Sequence, residues 1–207
     1  MSAYITVNTH SSIRMEAEKI LYIDPFRVEN ESHDADIVFI THSHFDHFSP
    51  EDIEKIARPG TVFVMPESVK QNAIDAGLTE IVTVKPGERF NVRGIAAEAV
   101  PSYNTNKPMH PKKNGWLGYI ITAGGQRIYI GGDMDVTPEA AAVRCDIAMI
   151  PIGGTYTMNP EEAAALINQM KPACVIPTHY GTLAGDPEDG KRFSSLVEAG
   201  IRVEFKL

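Results

Sequence analysis

A chain of 207 residues, 43% hydrophobic and 22% charged, is large enough to bury a continuous apolar core, and residues 1–207 are expected to form one domain. A net charge of −8 and a pI near 5.3 disfavour a broad phosphate-binding face and so set general nucleic-acid binding aside. No basic leader with an apolar stretch opens the chain and no run approaches about 18 uninterrupted apolar residues, so the expectation is a cytoplasmic protein with no membrane contact.

Short β-branched and aromatic runs come first, over 4–9, 12–17, 19–24 and 36–41, and each reads as a strand. A helix follows over 50–58, then the strand "TVFVM", a helix over 67–76, the strand "EIVTV" and further strands within 88–100. In the second half "WLGYIITA" and "QRIYIGG" read as a hairpin. Helix and strand then alternate through "DIAMIPI", "EEAAALINQM", "ACVIPTHY" and "KRFSSLVEAG".

Four helix starts share one device, a capping side chain, proline in the first turn and an early acid: Ser49-Pro50-Glu51, Thr137-Pro138-Glu139, Asn159-Pro160-Glu161 and Asp186-Pro187-Glu188. The loop over 101–115 is long and polar enough to be functional. Cys145 and Cys174 sit in or beside apolar runs and read as small buried residues rather than as a disulfide or metal ligands. A strand-rich front followed by alternating units predicts two sheets packed face to face with helices outside.

Between the strand "DIVFI" and the helix start at Ser49 lies "THSHFDHFS", which holds three of the seven histidines within six positions. A strand-to-helix loop is where sites are built on such scaffolds. If strand geometry persists past Thr41, His42 and His44 project to one side and can approach one ion. Asp46 and His47 are adjacent and are expected to diverge, reaching a second ion nearby, as two-metal hydrolytic sites require. Further ligands are available where other apolar runs end. "RIYIGGDMD" places Asp133 after a strand, with Gly131 and Gly132 permitting close backbone approach, and "ACVIPTHYGT" places His179 likewise. Taken singly, Asp133 and Asp135 could cap turns and His179 could be a core histidine; beside the loop at 42–47 they complete a site. His33, in "NESHDAD", reads as a surface residue.

The order His42-x-His44-x-Asp46-His47, then Asp133 and His179, resembles the metallo-β-lactamase superfamily. "LYIDPF", "IYIGGDMD", "IPIGGTYTMNPEEAA" and "KPACVIPTHYGT" resemble its small metal-dependent hydrolases related to L-ascorbate 6-phosphate lactonase. The resemblance implies an α/β protein, an αββα sandwich of two mixed β-sheets flanked by helices, with metals at one edge between the sheets. It implies that Asp133 bridges two divalent ions, zinc first, with manganese, nickel and iron as alternatives, and that Asp24 is a buried carboxylate orienting the ligand loops. His10 resembles the histidine of an early Gly-His-Ser motif, although Thr9 replaces the glycine, and takes a catalytic or substrate-contacting role.

One position departs from the pattern. Where relatives carry a third histidine for the first metal, this chain has Asn104, and His110 follows in the same loop. Either His110 supplies the imidazole or Asn104 ligates through its amide oxygen; imidazole is the better ligand, and His110 is the expectation. Lys107, Lys112 and Lys113 could screen an anionic group. The chemistry expected is hydrolysis of a small lactone, ester or phosphodiester by metal-bound hydroxide. Asp46 would orient the nucleophile and pass a proton on, with His10 or Tyr180 near the developing oxyanion. A non-catalytic metal-binding or nucleotide-sensing domain is the alternative, and the sequence leaves the oligomeric state open.

Overall fold

Apolar runs without alternation should be covered on both faces, and four of them are: Ile37–Phe39, Val62–Pro66, Ile147–Pro151 and Cys174–Thr178 are buried at every position. In the computed structural model, which describes residues 2–207, all four pair with both neighbours in the parallel sense.

The first sheet runs in chain order: β1 (Tyr4–Thr9), β2 (Ser12–Glu16), β3 (Ile20–Ile23), β4 (Ile37–Phe39), β5 (Val62–Pro66) and β6 (Ile81–Val84). The second contains β7 (Arg89–Val92), β8 (Ile95–Pro101), β9 (Leu117–Ala123), β10 (Gln126–Ile130), β11 (Ile147–Pro151), β12 (Cys174–Thr178) and β13 (Arg202–Val203), also in sequential order. Both sheets are mixed: β1 to β3 and β7 to β10 are antiparallel, and the remaining pairs are parallel. Only the two-residue strand β13 lacks a counterpart in the sequence reading, being too short to show a pattern.

Apolar side chains between the sheets form one core, in which Ile13, Leu21, Ile37 and Val64 meet Leu117, Tyr119, Ile128 and Met149. Outside the first sheet lie α1 (Pro50–Ile56) and α2 (Lys70–Asp75), whose Ile53, Ile56 and Ala73 cover Val38, Phe63 and Met65. Outside the second lie α3 (Pro138–Ala141), α4 (Pro160–Met170) and α5 (Asp189–Leu196), with Leu166, Ile167 and Phe193 against Tyr129 and Val175. This is the expected αββα sandwich.

Three of the four helix starts form as read. Ser49 accepts the Asp52 N–H, Thr137 accepts the Ala140 N–H, and Asn159 with Glu162 makes a capping box. The fourth is displaced, because the Asp186 carboxylate accepts the N–H of Glu188 at 2.8 Å and ties the Asp-Pro-Glu segment into a turn. Such a local bond competes with helix, and α5 begins only at Asp189. The segment expected as helix over 67–76 likewise opens as a 3-10 turn, Glu67–Val69. Cys174 is buried and Cys145 half-buried, both as free thiols.

The pairing directions bring the carboxyl ends of β1, β3 and β4 and those of β8, β10, β11 and β12 to the same edge of the sandwich. The sheets are tied together there: Tyr119 donates its hydroxyl to the Ile40 carbonyl at 2.7 Å, and the Leu117 N–H reaches the Thr41 carbonyl at 3.1 Å.

Asp52, 5% exposed, accepts the N–H groups of Arg27 and Val28 at 2.8 and 2.9 Å and the Lys55 ammonium at 2.9 Å, fixing the β3–β4 loop to α1. Burial pushes its carboxyl up, but these donors and Ser49 hold it below the ordinary range. A depressed carboxyl stabilises the fold above its unfolded pKa, about 3.9, and that contribution disappears as pH falls through the native value. Asp52→Asn is expected to cost about 1–3 kcal/mol at pH 7 by urea denaturation, and the gap from the parent should narrow below about pH 4.

Candidate metal centre

The strand before the histidine loop ends at Phe39, so strand alternation does not carry His42 and His44. A tight turn does so instead: the N–H groups of His47 and Phe48 both donate to the His44 carbonyl, at 3.0 and 2.8 Å. His42 Nε2 and His44 Nδ1 come within 3.1 Å of each other. Asp46 and His47 do not diverge as expected; the same turn folds them together, with Asp46 Oδ2 3.4 Å from His47 Nε2.

The loop over 101–115 folds back so that His110 Nε2 lies 3.2 Å from His44 Nδ1 and 3.2 Å from Asp133 Oδ2. The six-residue offset closes into a loop pinned by Asn104. Its amide oxygen accepts the ring Nδ1–H and the backbone N–H of His110, at 2.9 and 3.1 Å, and its own backbone N–H reaches the His110 carbonyl at 2.7 Å. Asn104 thus faces the imidazole from behind, and its amide nitrogen donates to the Tyr156 carbonyl at 2.9 Å. Asp135, buried, accepts the N–H groups of Thr105 and Asn106 and the ammonium of Lys107, which keeps this loop closed.

Asp133 follows β10 across Gly131 and Gly132. Gly132 has φ +63, and a Cβ there would lie 2.9 Å from the Leu117 carbonyl, so the approach to β9 needs glycine. From this position Asp133 Oδ2 is 3.0 Å from His179 Nε2 and Asp133 Oδ1 is 3.3 Å from His47 Nε2. His179 leaves β12 with φ +57, and its N–H donates to the His10 carbonyl at 2.9 Å, linking the two sheets. His10, φ +54, occupies the turn between β1 and β2; its ring lies 3.6 Å from that of His179 and its Nε2 3.2 Å from Asp46 Oδ2.

The left-handed turn at His179 sends the next residue the other way. Tyr180 packs into the outer core beneath α5, with its hydroxyl against Gly190, so it does not stand beside a developing oxyanion. His33 is exposed on the far side, with its Nδ1 2.9 Å from the Ala57 carbonyl. Asp24, fully enclosed, accepts the N–H and hydroxyl of Thr41 at 2.8 and 2.6 Å and lies 2.7 Å from His47 Nδ1. Thr41 Oγ1 is also 2.9 Å from His42 Nδ1. Because this hydroxyl donates to Asp24, it accepts from His42, leaving the Nε2 lone pair of His42 directed inward.

Three overlapping donor groups result, each with its atoms within 4.8 Å: His42, His44 and His110; His10, Asp46, His47 and His179; and His42, His47 and Asp133. Inside them His10 Nε2, His47 Nε2, His179 Nε2 and Asp133 Oδ1 are buried with no hydrogen-bond partner. Unpartnered buried nitrogen and carboxylate lone pairs that converge are a donor set suited to borderline divalent cations. Burial pushes Asp133 up, but His179 and His47 hold it well below the ordinary carboxylate range, and Asp46 is held low against burial by His10, His179 and His47. His42 is pushed well below its usual value by burial and by His47. The carboxylates therefore carry charge and His42 does not, whereas Asp133 holds His47 and His179 above their usual value against the effect of burial, so a cation bound there would displace protons from these two rings.

Trp116 forms one wall, its ring centroid 4.9 Å from those of His42 and His44 and 5.5 Å from that of His110. Phe45, Met109, Tyr156 and Leu183 stand around the opening. None of these five was singled out in the sequence, where isolated apolar residues in loops carry no periodic signal.

Residues 4–179 match the family described as beta-lactamase superfamily domain. A UPF0173 metal-dependent hydrolase of Thermococcus onnurineus is 31% identical over 201 residues, covering 88% of each chain. A crystal structure of a protein from Parabacteroides distasonis, described as a metal-dependent hydrolase, superposes with TM-score 0.84 at 29% identity over 99% of this chain and 93% of its own. The fold is shared with a Thermotoga maritima protein described as a Zn-dependent hydrolase of the metallo-beta-lactamase superfamily, at TM-score 0.65 and 20% identity, with 97% of each chain covered. Among the described residues no helix is long and apolar enough to cross a membrane.

Trp116 is the sole tryptophan and touches the first histidine group, which makes it an internal reporter. Titrating cobalt or nickel into chelator-treated protein is expected to quench its fluorescence saturably, with His110→Ala weakening the response and His33→Ala leaving it as in the parent.

Proposed function

The chain belongs to the beta-lactamase superfamily domain family, among the UPF0173 metal-dependent hydrolases, and from that premise we propose that it hydrolyses a small lactone, ester or phosphodiester using two divalent ions, zinc first. The observation that carries the two-ion reading is the placement of Asp133 within reach of both donor groups: Oδ2 lies 3.2 Å from His110 of one and 3.0 Å from His179 of the other, and Oδ1 lies 3.3 Å from His47. His42 Nε2, His44 Nδ1 and His110 Nε2 would hold one ion, and Asp46, His47 and His179 the other, with Asp133 between them.

Divalent ions held there would supply a water of lowered pKa, about 7 against about 15.7 in bulk, and a Lewis acid for the scissile oxygen. The protein's own groups do the rest. Asp24, Thr41 and Asn104 fix the rings of His47, His42 and His110 from behind, so that in each the Nε2 lone pair faces the site. Asp46, kept ionised, would accept the proton of the attacking water at the carboxylate oxygen that does not hold the ion. His10 Nε2, 3.2 Å from Asp46 Oδ2, is placed to receive that proton and deliver it to the leaving group. Thr182 Oγ1, 3.3 Å from His10 Nδ1, anchors the ring for this task. Trp116 closes one side to bulk water.

Metal analysis of purified variants, with turnover measured on lactones, esters and phosphodiesters, tests the reading. Asp133→Ala should drop the bound metal from two ions to one or fewer and abolish hydrolysis while the circular dichroism spectrum stays that of the parent. His110→Ala should leave about one ion. Asn104→Ala, which removes only the support behind His110, should weaken metal affinity by about 10–100-fold. Two ions bound by Asp133→Ala with parental affinity would overturn the bridging assignment.

A further inference from the structure

The cavity above the donor atoms, about 290 Å³, has a polar floor and an apolar wall. Phe45, Met109, Tyr156 and Leu183 line it while remaining 68, 45, 40 and 39% exposed, and they come from four separate loops. Among the described residues, eleven large apolar side chains are exposed, and four of them gather at this one opening. Scattered exposed apolar residues are ordinary; a group of them rimming a concave polar centre marks a binding surface.

The same cavity has no lysine or arginine in its lining. Two lysines of the 101–115 loop that could have screened an anionic group are committed elsewhere. Lys107 is paired with Asp135, and Lys112 binds Glu139 at 2.8 Å and the Tyr103 hydroxyl at 3.2 Å. A phosphate or carboxylate carried away from the scissile bond would meet apolar side chains there, with no counter-charge to offset its desolvation.

Resting on the hydrolase reading above, we propose that the substrate is a neutral carboxylic ester or lactone carrying a short alkyl or aryl group, and that Phe45, Met109, Tyr156 and Leu183 bind that group. In this reaction water adds to the carbonyl carbon, the acyl–oxygen bond breaks, and the leaving alkoxide takes the proton, giving a carboxylic acid and an alcohol. Phe45 is set for this role: the turn that directs His44, Asp46 and His47 inward leaves its ring outward, supported edge-on by Phe26 at 5.9 Å between centroids.

The test uses the full chain loaded with zinc or manganese and p-nitrophenyl acetate, butyrate and hexanoate, with bis(p-nitrophenyl) phosphate and a phosphorylated lactone as charged competitors. The value of kcat/KM should rise by up to about fourfold per added methylene, from the transfer free energy of a buried CH₂, and the neutral esters should exceed both charged substrates. Phe45→Ser and Leu183→Ser should flatten the dependence on chain length. A flat dependence in the parent, or preference for a charged substrate, overturns the proposal. Calorimetric titration of the loaded protein with hexanoate and acetate reads the pocket without turnover: hexanoate should bind at least tenfold tighter, and equal binding also overturns the proposal. Preferential hexanoate binding with no cleavage of any ester would instead count against the hydrolysis reading alone. If light scattering finds a dimer that Phe45→Ser dissociates, with the chain-length dependence unaltered, the rim is a subunit interface and the proposal fails.

Discussion

Electron-rich atoms that repel one another unless a proton or a metal cation lies between them converge at one edge of the sandwich. Asp133 Oδ2 has His179 Nε2 at 3.0 Å, His110 Nε2 at 3.2 Å and His42 Nε2 at 4.0 Å, and these atoms lie in a region almost closed to solvent. Close approach of lone pairs in a low-dielectric pocket is unfavourable unless a cation compensates it, so the surrounding structure must hold each donor against its tendency to turn away. That requirement accounts for the layer behind the site. Asp24 and Thr41 hold His47 and His42, Asn104 holds His110, and Thr182 lies against His10; each contacts the ring nitrogen that does not face the cavity.

The backbone carries its own share of this constraint. His10, Asp24 and His179 all adopt left-handed φ, at +54, +46 and +57, without being glycine. Each such residue costs about 1–2 kcal/mol, and residues of this kind persist where their surroundings over-determine them, often at functional sites. Here the surroundings are explicit: the His179 N–H is bonded to the His10 carbonyl, and the Asp24 N–H to the Phe39 carbonyl at 3.0 Å. Each turn reverses the chain at the end of a strand and directs a polar side chain into the gap between the sheets. The rigid sheets thus set the positions of donors that are distant in sequence.

Much of this was legible because it is written in local patterns. Apolar runs announced the strands, and Ser49, Thr137 and Asn159 announced three helix starts through chemistry confined to four residues. The ligand types also stood out, since His42, His44, Asp46 and His47 are polar residues crowded behind a buried strand. What could not be read was geometry set by distant contacts. Whether Asp46 and His47 diverge depends on a turn closed by the His44 carbonyl, and whether Tyr180 faces the cavity depends on the φ of His179. Asn104 and His110 are separated by a loop whose closure rests on Asp135, a residue 31 positions after Asn104 in sequence but adjacent in space. The apolar rim was invisible for the same reason: Phe45, Met109, Tyr156 and Leu183 become a group only after four loops meet.

Floor and rim obey different physical demands, and this separates what can vary from what cannot. A donor must keep its lone pair aligned to about half an ångström, and His42, His47 and His110 are each fixed by a hydrogen bond behind the ring. A rim residue needs only apolar surface of suitable volume, and Tyr156 and Leu183 sit at loop positions not adjacent in sequence to a ligand. Met109 directly precedes His110, and Phe45 lies between His44 and Asp46 inside the turn that orders both. Its backbone conformation belongs to the metal centre while its ring belongs to the pocket, so a change that strains this turn would disturb ligand geometry and substrate contact together. At that position, choice of substrate and retention of metal are coupled through a single peptide segment.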